Sequence, residues 1–233
     1  MEKFSDPELS RRQLLRIGLT ATAASFLTGG LECTFSEQAH AQSPLTPDAA
    51  LAALTEGNKR FMSGALIAHE QDLTILKQHT EEKQEPFAAV LSCADSRVPV
   101  ELVFDQSIGH IFVTRVAGNF ITPEIIASLE YGAVVLGIKV ILVIGHSNCG
   151  AVKATIQGKE VPGQISALFP HIQPAVDQAC PDLESAIKAN ARIQATLLRE
   201  SSTVISGFVK SGSVKVLAGY YDLGTGSVTL LQS

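Results

Sequence analysis

Two apolar runs, each followed at once by polar and titratable residues, decide the fold of this chain. The first is FAAVL at residues 87–91, which leads into CADSR at 93–97; the second is VILVI at 140–144, which leads into HSNCG at 146–150. Short unbroken apolar runs are typical of parallel strands that are buried on both faces. Because the carboxyl ends of parallel strands share one edge of a sheet, we expect the two polar segments to meet there.

The composition of the chain narrows the class of protein. Its 233 residues are 45% hydrophobic and 18% charged, enough for one large domain with a sizeable core, although two small domains are the alternative. The net charge of −5 provides no basic footprint for nucleic acid or for an anionic membrane surface. Four Cys are too few and too scattered for a disulfide scaffold.

The first 41 residues read as a twin-arginine export signal. Arg11 and Arg12 precede a mildly apolar segment at 14–31, and Ala39-His40-Ala41 is a small-x-small pattern of the kind that signal peptidases cut. Arg16 interrupts the apolar segment, so a stable membrane anchor is not expected. We therefore predict a signal at 1–41, a mature domain at 42–233 and a periplasmic location. A thylakoid lumen is the alternative compartment, and an ordinary amphipathic helix is the alternative structure.

Strands and helices are predicted to alternate along the mature chain, which indicates an α/β domain with a mainly parallel sheet flanked by helices. Two helices precede any strand, and we expect them to pack on a partner subunit. The predicted strands are 87–91, 111–114, 139–144 and a terminal hairpin-like pair, 213–221 and 227–231. The predicted helices are 47–64, 73–83, 99–104, 123–136, 149–156, 165–179, 183–201 and a further turn at 204–210.

Three potential metal ligands follow the two central strands. Cys93 follows the first, and His146 and Cys149 follow the second in a His-x-x-Cys pattern. Two sulfur donors and one nitrogen donor suit Zn²⁺ and leave a fourth position open, as in catalytic zinc sites. The alternative is a pair of buried thiols and a core histidine. Packing alone does not explain titratable groups at two strand ends, which favours the metal.

Asp95 and Arg97 lie beside these ligands in the sequence. Two thiolates cancel the formal charge of Zn²⁺, so a water on such an ion is less acidified than on a site of three imidazoles. Asp95 would compensate by accepting a hydrogen bond from that water, and Arg97 would keep Asp95 ionised. Two alternatives stay open: Asp95 closes the site as the fourth ligand, or Asp95 and Ser96 cap the helix that begins near Pro99.

The pattern Cys-x-Asp-x-Arg at 93–97, followed 53 residues after Cys93 by His-x-x-Cys at 146–149, resembles the zinc motif of the β-class carbonic anhydrases. The resemblance spans about residues 50–231 and includes GNKRF at 57–61. It implies one Zn²⁺ per subunit on Cys93, His146 and Cys149, with the Asp95–Arg97 pair beside the bound water. The implied reaction is attack of zinc-bound hydroxide on CO2, giving bicarbonate and a proton, in a homodimer or homotetramer.

The same resemblance implies a substrate pocket and a branch of the family. The position three residues before the first Cys is Val90, where bicarbonate-regulated members carry Trp, so the chain resembles the plant-like, Gln-containing branch. Its Gln is expected to serve the neighbouring subunit's zinc. Ordinary core positions are the alternative for the pocket residues. The implied substrate-binding residues are Gln84, Phe112, Ala117, Tyr131 and, through its backbone N–H, Gly150.

Two further functions compete with CO2 hydration. The same zinc chemistry can act on COS or CS2, and the sequence does not show which substrate the pocket admits. A non-catalytic zinc-binding protein is the other alternative. Asp95 and Arg97 argue against it, because a structural site would close its fourth position with a protein ligand and would not need the pair.

Overall fold

The computed structural model describes residues 43–68, 84–179 and 181–232. The export signal at 1–41 and the helix expected at 73–83 lie outside the described residues, so those predictions stay predictions. Within the described ranges, no helix combines the length and the apolar character that are needed to cross a bilayer.

A mixed sheet forms the centre of the fold. Among the described residues it has five strands in the order β2-β1-β3-β4-β5, and the first four of these are parallel while β5 runs antiparallel to β4. Every residue of β1 and β3 is buried, as expected from their unbroken apolar sequences. The predicted α/β fold with a mainly parallel sheet is confirmed. The strands are β1 (Ala88–Ser92), β2 (Ile111–Arg115), β3 (Val140–His146), β4 (Lys215–Tyr221) and β5 (Val228–Leu231).

Helices flank the sheet and begin where the capping chemistry predicts. Thr46 and Thr122 accept hydrogen bonds from backbone N–H groups three residues on, and a Pro follows each of them at the first helical position. The helices are α1 (Pro47–Ser63), α2 (Val100–Val103), α3 (Pro123–Val134), α4 (Gly150–Gln157), α5 (Phe169–Ala179), α6 (Leu183–Ser201) and α7 (Thr203–Lys210).

Three elements differ in detail from the expectation. The strand expected at 139–144 continues as β3 to His146 itself, so this imidazole is fixed by the sheet. The helix expected at 165–179 opens with a 3₁₀ turn, Ile165–Leu168, before α5 begins. The turn expected at 204–210 is a complete helix, α7, because Ser202 caps it by accepting from the N–H of Ile205.

One face of α1 packs on the protomer's own sheet. Ala50 and Leu54 are almost fully buried and belong to the apolar cluster that also contains Val90 and Leu142. The outer surface of α1 is left for other contacts. That the N-terminal helices pack on a partner subunit remains a prediction.

The register of the sheet positions the site. Leu91 of β1 lies beside Val143 of β3, so the carboxyl ends of these two central strands are neighbours. Helix α6 crosses β3 closely at Gly145, where a Cβ atom would stand 2.7 Å from Cγ2 of Ile187. A side chain there would push the helix away from the strand that carries His146.

Candidate metal centre

The structure brings Cys93, His146 and Cys149 together. Their ligand atoms lie within 4.8 Å of one another, and each of the three residues is at most 4% exposed. Cys93 directly follows β1, His146 ends β3, and Cys149 stands at the N-cap of α4. The meeting of the two polar segments at one sheet edge, expected from their sequence positions, is therefore observed.

The distances fit a tetrahedral ion better than a disulfide. The two sulfur atoms are 4.0 Å apart and both cysteines are free. Zn–S bonds of about 2.3 Å at tetrahedral angles place two sulfur ligands roughly 3.8 Å apart. Both thiolates can thus reach the same ion with little movement.

The tautomer of His146 also fits a metal ligand. Its Nδ1 lies 3.0 Å from the carbonyl oxygen of Ser147 and donates to it, which leaves Nε2 with the free lone pair. Nε2 is buried and has no hydrogen-bond partner among the described residues. Ser147 is itself fixed, because its N–H donates to Tyr221 and its hydroxyl accepts from the N–H of Leu223. A buried, oriented and unpartnered nitrogen between two thiols is what a Zn²⁺ ligand requires.

The pKa values of the two thiols are shifted in opposite directions. The hydrogen bond from Cys149 is the main cause that lowers the pKa of Cys93 to about 4, against burial, with further help from the N–H of Gly118. The same hydrogen bond and burial raise the pKa of Cys149. The first proton therefore leaves Cys93, and a cation is needed to hold the second thiolate.

Asp95 and Arg97 form a bidentate pair at the mouth of the site. The Arg97 guanidinium donates from Nε to Oδ1 at 2.9 Å and from Nη2 to Oδ2 at 2.7 Å, and the Arg97 backbone N–H donates to Oδ1. These bonds hold the pKa of Asp95 well below its usual range. Oδ2 is also 3.8 Å from Nε2 of His146, so an ionised carboxylate stands next to the ligand atoms.

The structure decides one of the two alternatives for Asp95. Helix α2 has Pro99 at its N-cap and no side-chain cap, so the interpretation of Asp95 and Ser96 as helix caps is wrong. Asp95 instead accepts within its own turn from Arg97. In this arrangement Asp95 is paired with Arg97 through both carboxylate oxygens.

Two groups from the β2 end of the sheet support the Cys93 segment. Arg115, at the end of β2, donates to the carbonyl oxygens of Cys93 (3.0 Å) and Asp95 (2.5 Å), which fixes the turn that carries the pair. The N–H of Gly118 lies 3.3 Å from the sulfur of Cys93. A backbone donor carries no side-chain signature, so only the structure reveals this contact.

The residues expected to bind substrate lie farther apart than the three metal ligands. Phe112 and Tyr131 are neighbours with ring centroids 6.3 Å apart, and Tyr131 is 46% exposed. Ala117 is half-buried directly before Gly118, and Gly150 is exposed at the first turn of α4. Gln84 is exposed in the protomer and forms no hydrogen bond with the described residues. Their roles as a pocket remain predictions.

The parallel sheet and its buried site of two thiols and one imidazole define a class of protein. The family model described as carbonic anhydrase matches residues 88–228, and the chain belongs to this family, in its β class. The β-carbonic anhydrases use Zn²⁺, and the donor set of Cys93, His146 and Cys149 suits that ion.

Individual relatives agree with the family. The chain is 33% identical over 195 residues to a carbonic anhydrase of Mycolicibacterium smegmatis, covering 79% of this chain and 93% of the relative. A solved β-carbonic anhydrase of Coccomyxa, in complex with acetazolamide, is 25% identical with a TM-score of 0.59, covering 78% and 86% of the two chains. One of the tetrameric β-carbonic anhydrases of Sordaria macrospora has the same fold at 21% identity, with a TM-score of 0.62 and coverage of 80% and 98%.

Proposed function

We propose that the protein is a carbonate dehydratase that hydrates CO2 reversibly to bicarbonate and a proton. The observation that carries this conclusion is that a set of metal ligands and an ionised carboxylate lie side by side at one sheet edge. The ligand set is Cys93, His146 and Cys149, and Asp95 lies beside it, hydrogen-bonded to Arg97. A purely structural zinc site would use a fourth protein ligand.

The residues of the chain have separate roles in the reaction. When bound, Zn²⁺ supplies a Lewis acid that makes a water molecule acidic enough to react with CO2 at neutral pH. Asp95 accepts a hydrogen bond from the reacting water and so turns the lone pair of that water towards the substrate. Arg97 keeps Asp95 ionised and correctly rotated, and the released proton passes to buffer.

The substrate pocket is proposed to be completed by a second copy of the chain. Tyr131 and Val134 of α3 are 46% and 53% exposed, and Phe112 lies on β2, the edge strand beside them. An apolar surface of this kind suits burial between subunits. Gln84, exposed in one protomer, would then donate to CO2 or bicarbonate in the other, as expected of the Gln-containing branch, with Ala117 and the N–H of Gly150 lining the same pocket. A homodimer, alone or paired into a tetramer, is the proposed assembly.

The location is proposed from the N-terminal sequence. Arg11 and Arg12 would direct the folded protein through the twin-arginine route, and cleavage after Ala41 would give a mature chain that starts at Gln42. Mass spectrometry of the periplasmic fraction tests both points. An intact Met1, or equal export of the variant with both Arg11→Lys and Arg12→Lys, would contradict the proposal.

Stopped-flow CO2 hydration on protein of measured zinc content tests the activity. The wild type should hydrate CO2 far faster than buffer, and Cys149→Ser should lose both zinc and activity. Zinc-loaded wild type no faster than buffer would refute the proposal. COS and CS2 are assayed in parallel, and turnover of these in place of CO2 would reassign the substrate while keeping the metal centre.

A further inference from the structure

Two buried amide side chains on α6 hydrogen-bond to the loop whose Gly118 N–H lies near the Cys93 sulfur. Asn190 and Gln194 are 0% and 2% exposed, on a helix face otherwise made of small and aliphatic residues such as Ala191 and Ile187. Burying an amide in such surroundings is costly unless its groups are hydrogen-bonded. The partners of these two side chains therefore indicate what the pair is for.

Both amides bond to the loop between β2 and α3. Asn190 Nδ2 donates to the carbonyl oxygen of Gly118 at 2.8 Å, and Gln194 Oε1 accepts from the N–H of Ile121 at 3.0 Å. Gln194 Nε2 donates to Asn190 Oδ1 at 3.3 Å and to the carbonyl oxygen of His171 at 3.0 Å. The two side chains thus form one connected network that holds the loop at two points.

The residue that Asn190 holds is the one whose N–H points at the metal ligand. Gly118 has a φ of +91°, a backbone conformation that favours glycine, and a Cβ atom there would lie 2.5 Å from Cδ1 of Ile172. In this conformation its carbonyl oxygen faces Asn190 and its N–H faces the Cys93 sulfur at 3.3 Å. Without the bond from Asn190, a glycine with this freedom could rotate its N–H away from the sulfur.

We propose that Asn190, supported by Gln194, is a positioning residue for the metal centre: it fixes the Gly118 N–H on the Cys93 sulfur and so reduces the charge that this ligand donates to the metal. Hydrogen bonds to ligating sulfur draw electron density away from it and tune the metal behind it. In a site with two thiolates this reduction matters, because it restores part of the ion's Lewis acidity. The inference rests on the proposed zinc centre and deepens it.

Cobalt-substituted protein tests the inference without relying on activity. In the wild type, Co²⁺ should show a thiolate-to-metal charge-transfer band. Asn190→Leu replaces the amide with an apolar side chain of similar size, and the freed Cys93 sulfur should donate more strongly, moving this band to longer wavelength. The apparent affinity for Zn²⁺, measured by chelator competition at constant pH, should nevertheless fall about tenfold, because the loop that orients the Cys93 ligand is less well fixed.

Leu198→Ala is the matched control. Leu198 is fully buried on the same helix, but its side chain packs in the apolar cluster that contains Leu129 and Val143 and takes no part in the hydrogen bonds of the network. This variant should lower stability and leave the cobalt band in place. A band in cobalt-loaded Asn190→Leu that coincides with that of the wild type would overturn the inference.

Two further measurements cover a failure of Asn190→Leu to fold. Gln194→Met removes the partner of Asn190 and should move the band in the same direction by a smaller amount; an unmoved band counts against the inference. In ¹¹³Cd-loaded wild type, the Gly118 amide proton should couple to the metal through the sulfur, and absence of this coupling also overturns it. A wild type without any thiolate band would instead contradict the metal centre and the proposed function.

Discussion

Two Asp–Arg ion pairs among the described residues differ in how far their side chains are buried. Asp95 and Arg97 are two residues apart, and the Arg97 side chain is 50% exposed. Asp105 and Arg60 are 45 residues apart and connect the loop after α2 to α1, with the Asp105 side chain fully buried. One pair lies at the metal centre and the other lies in the scaffold.

The difference between the pairs is the number of acceptor sites that remain free. An ionised carboxylate offers about four lone-pair sites. In Asp105 all four sites are used. Oδ1 accepts from the N–H groups of Ile67 and Ala68, and Oδ2 accepts from Arg60 and from the same Ile67 N–H. Asp95 uses two on Oδ1 and one on Oδ2, all from Arg97, and the oxygen with spare capacity is the one nearest His146. A saturated carboxylate can only hold the fold, whereas an unsaturated one can also hold a reactant.

The largest effect is expected when the free acceptor is removed. Asp95→Asn keeps the size of the side chain and loses its charge, so kcat/KM for CO2 hydration should fall about 10³-fold, equivalent to about 4 kcal/mol. The Arg97 side chain is 50% exposed and that of Asp95 is 16% exposed, so losing the charge of the pair should lower the free energy of unfolding by no more than about 1 kcal/mol. Stopped-flow assays on protein of equal zinc content, with urea unfolding alongside, measure both. Full activity in zinc-loaded Asp95→Asn would remove Asp95 from the mechanism.

The saturated pair should show the reverse result. Asp105→Asn leaves buried N–H donors facing an amide that cannot accept from all of them, and it should lower the free energy of unfolding by about 2 kcal/mol. The value of kcat/KM at 25 °C should stay close to that of the wild type, since Asp105 has no acceptor site left for a reactant. Urea denaturation and the same stopped-flow assay check this. A loss of activity without a loss of stability would place Asp105 in the reaction.

The contrast also explains which parts of the structure could be predicted from the sequence. The runs at 87–91 and 140–144 determine two central strands by hydrophobicity alone, and the residues that follow them must then meet. Cys93, His146 and Cys149 were predictable for that reason. Asp95 and Arg97 were predictable because the two partners are only two residues apart in the chain.

Contacts made by backbone groups or by distant partners could not be predicted in this way. The donors around the Asp105 carboxylate come from α1 and from residues 67–68, and no local sequence pattern pairs them with Asp105. Gly118 acts through its N–H, which every residue except Pro possesses. Asn190 and Gln194 did leave a signal, since polar residues four apart on the apolar face of α6 indicate a buried network, but their partner is visible only in three dimensions.

A smaller effect on kcat/KM is expected when the positive charge at position 97 is kept but the bidentate hydrogen bonding is lost. Lys cannot make the two parallel hydrogen bonds of a guanidinium. Arg97→Lys should therefore lower kcat/KM about tenfold, or about 1.4 kcal/mol, through a less well oriented Asp95. Arg60→Lys is the matched variant in the scaffold and should cost about 1 kcal/mol of stability with little change in rate. Equal effects of the two variants on kcat/KM would mean that the pairs do not differ in function.

The smallest effect is expected on the free energy of unfolding at acidic pH. Burial alone would raise the pKa of Asp105, but the N–H groups of Ala68 and Ile67, with Arg60, outweigh it and hold that pKa below its usual range. A carboxylate with a lowered folded-state pKa stabilises the protein fully above its unfolded pKa of about 3.9 and loses this contribution as the pH falls through the folded value. The stability of the wild type should therefore decline below about pH 4 more steeply than that of Asp105→Asn. Urea unfolding from pH 5 downwards, with both proteins held metal-free in chelator so that the ligands contribute equally, measures the two slopes; parallel slopes would mean that the saturated carboxylate carries no acid-sensitive stability.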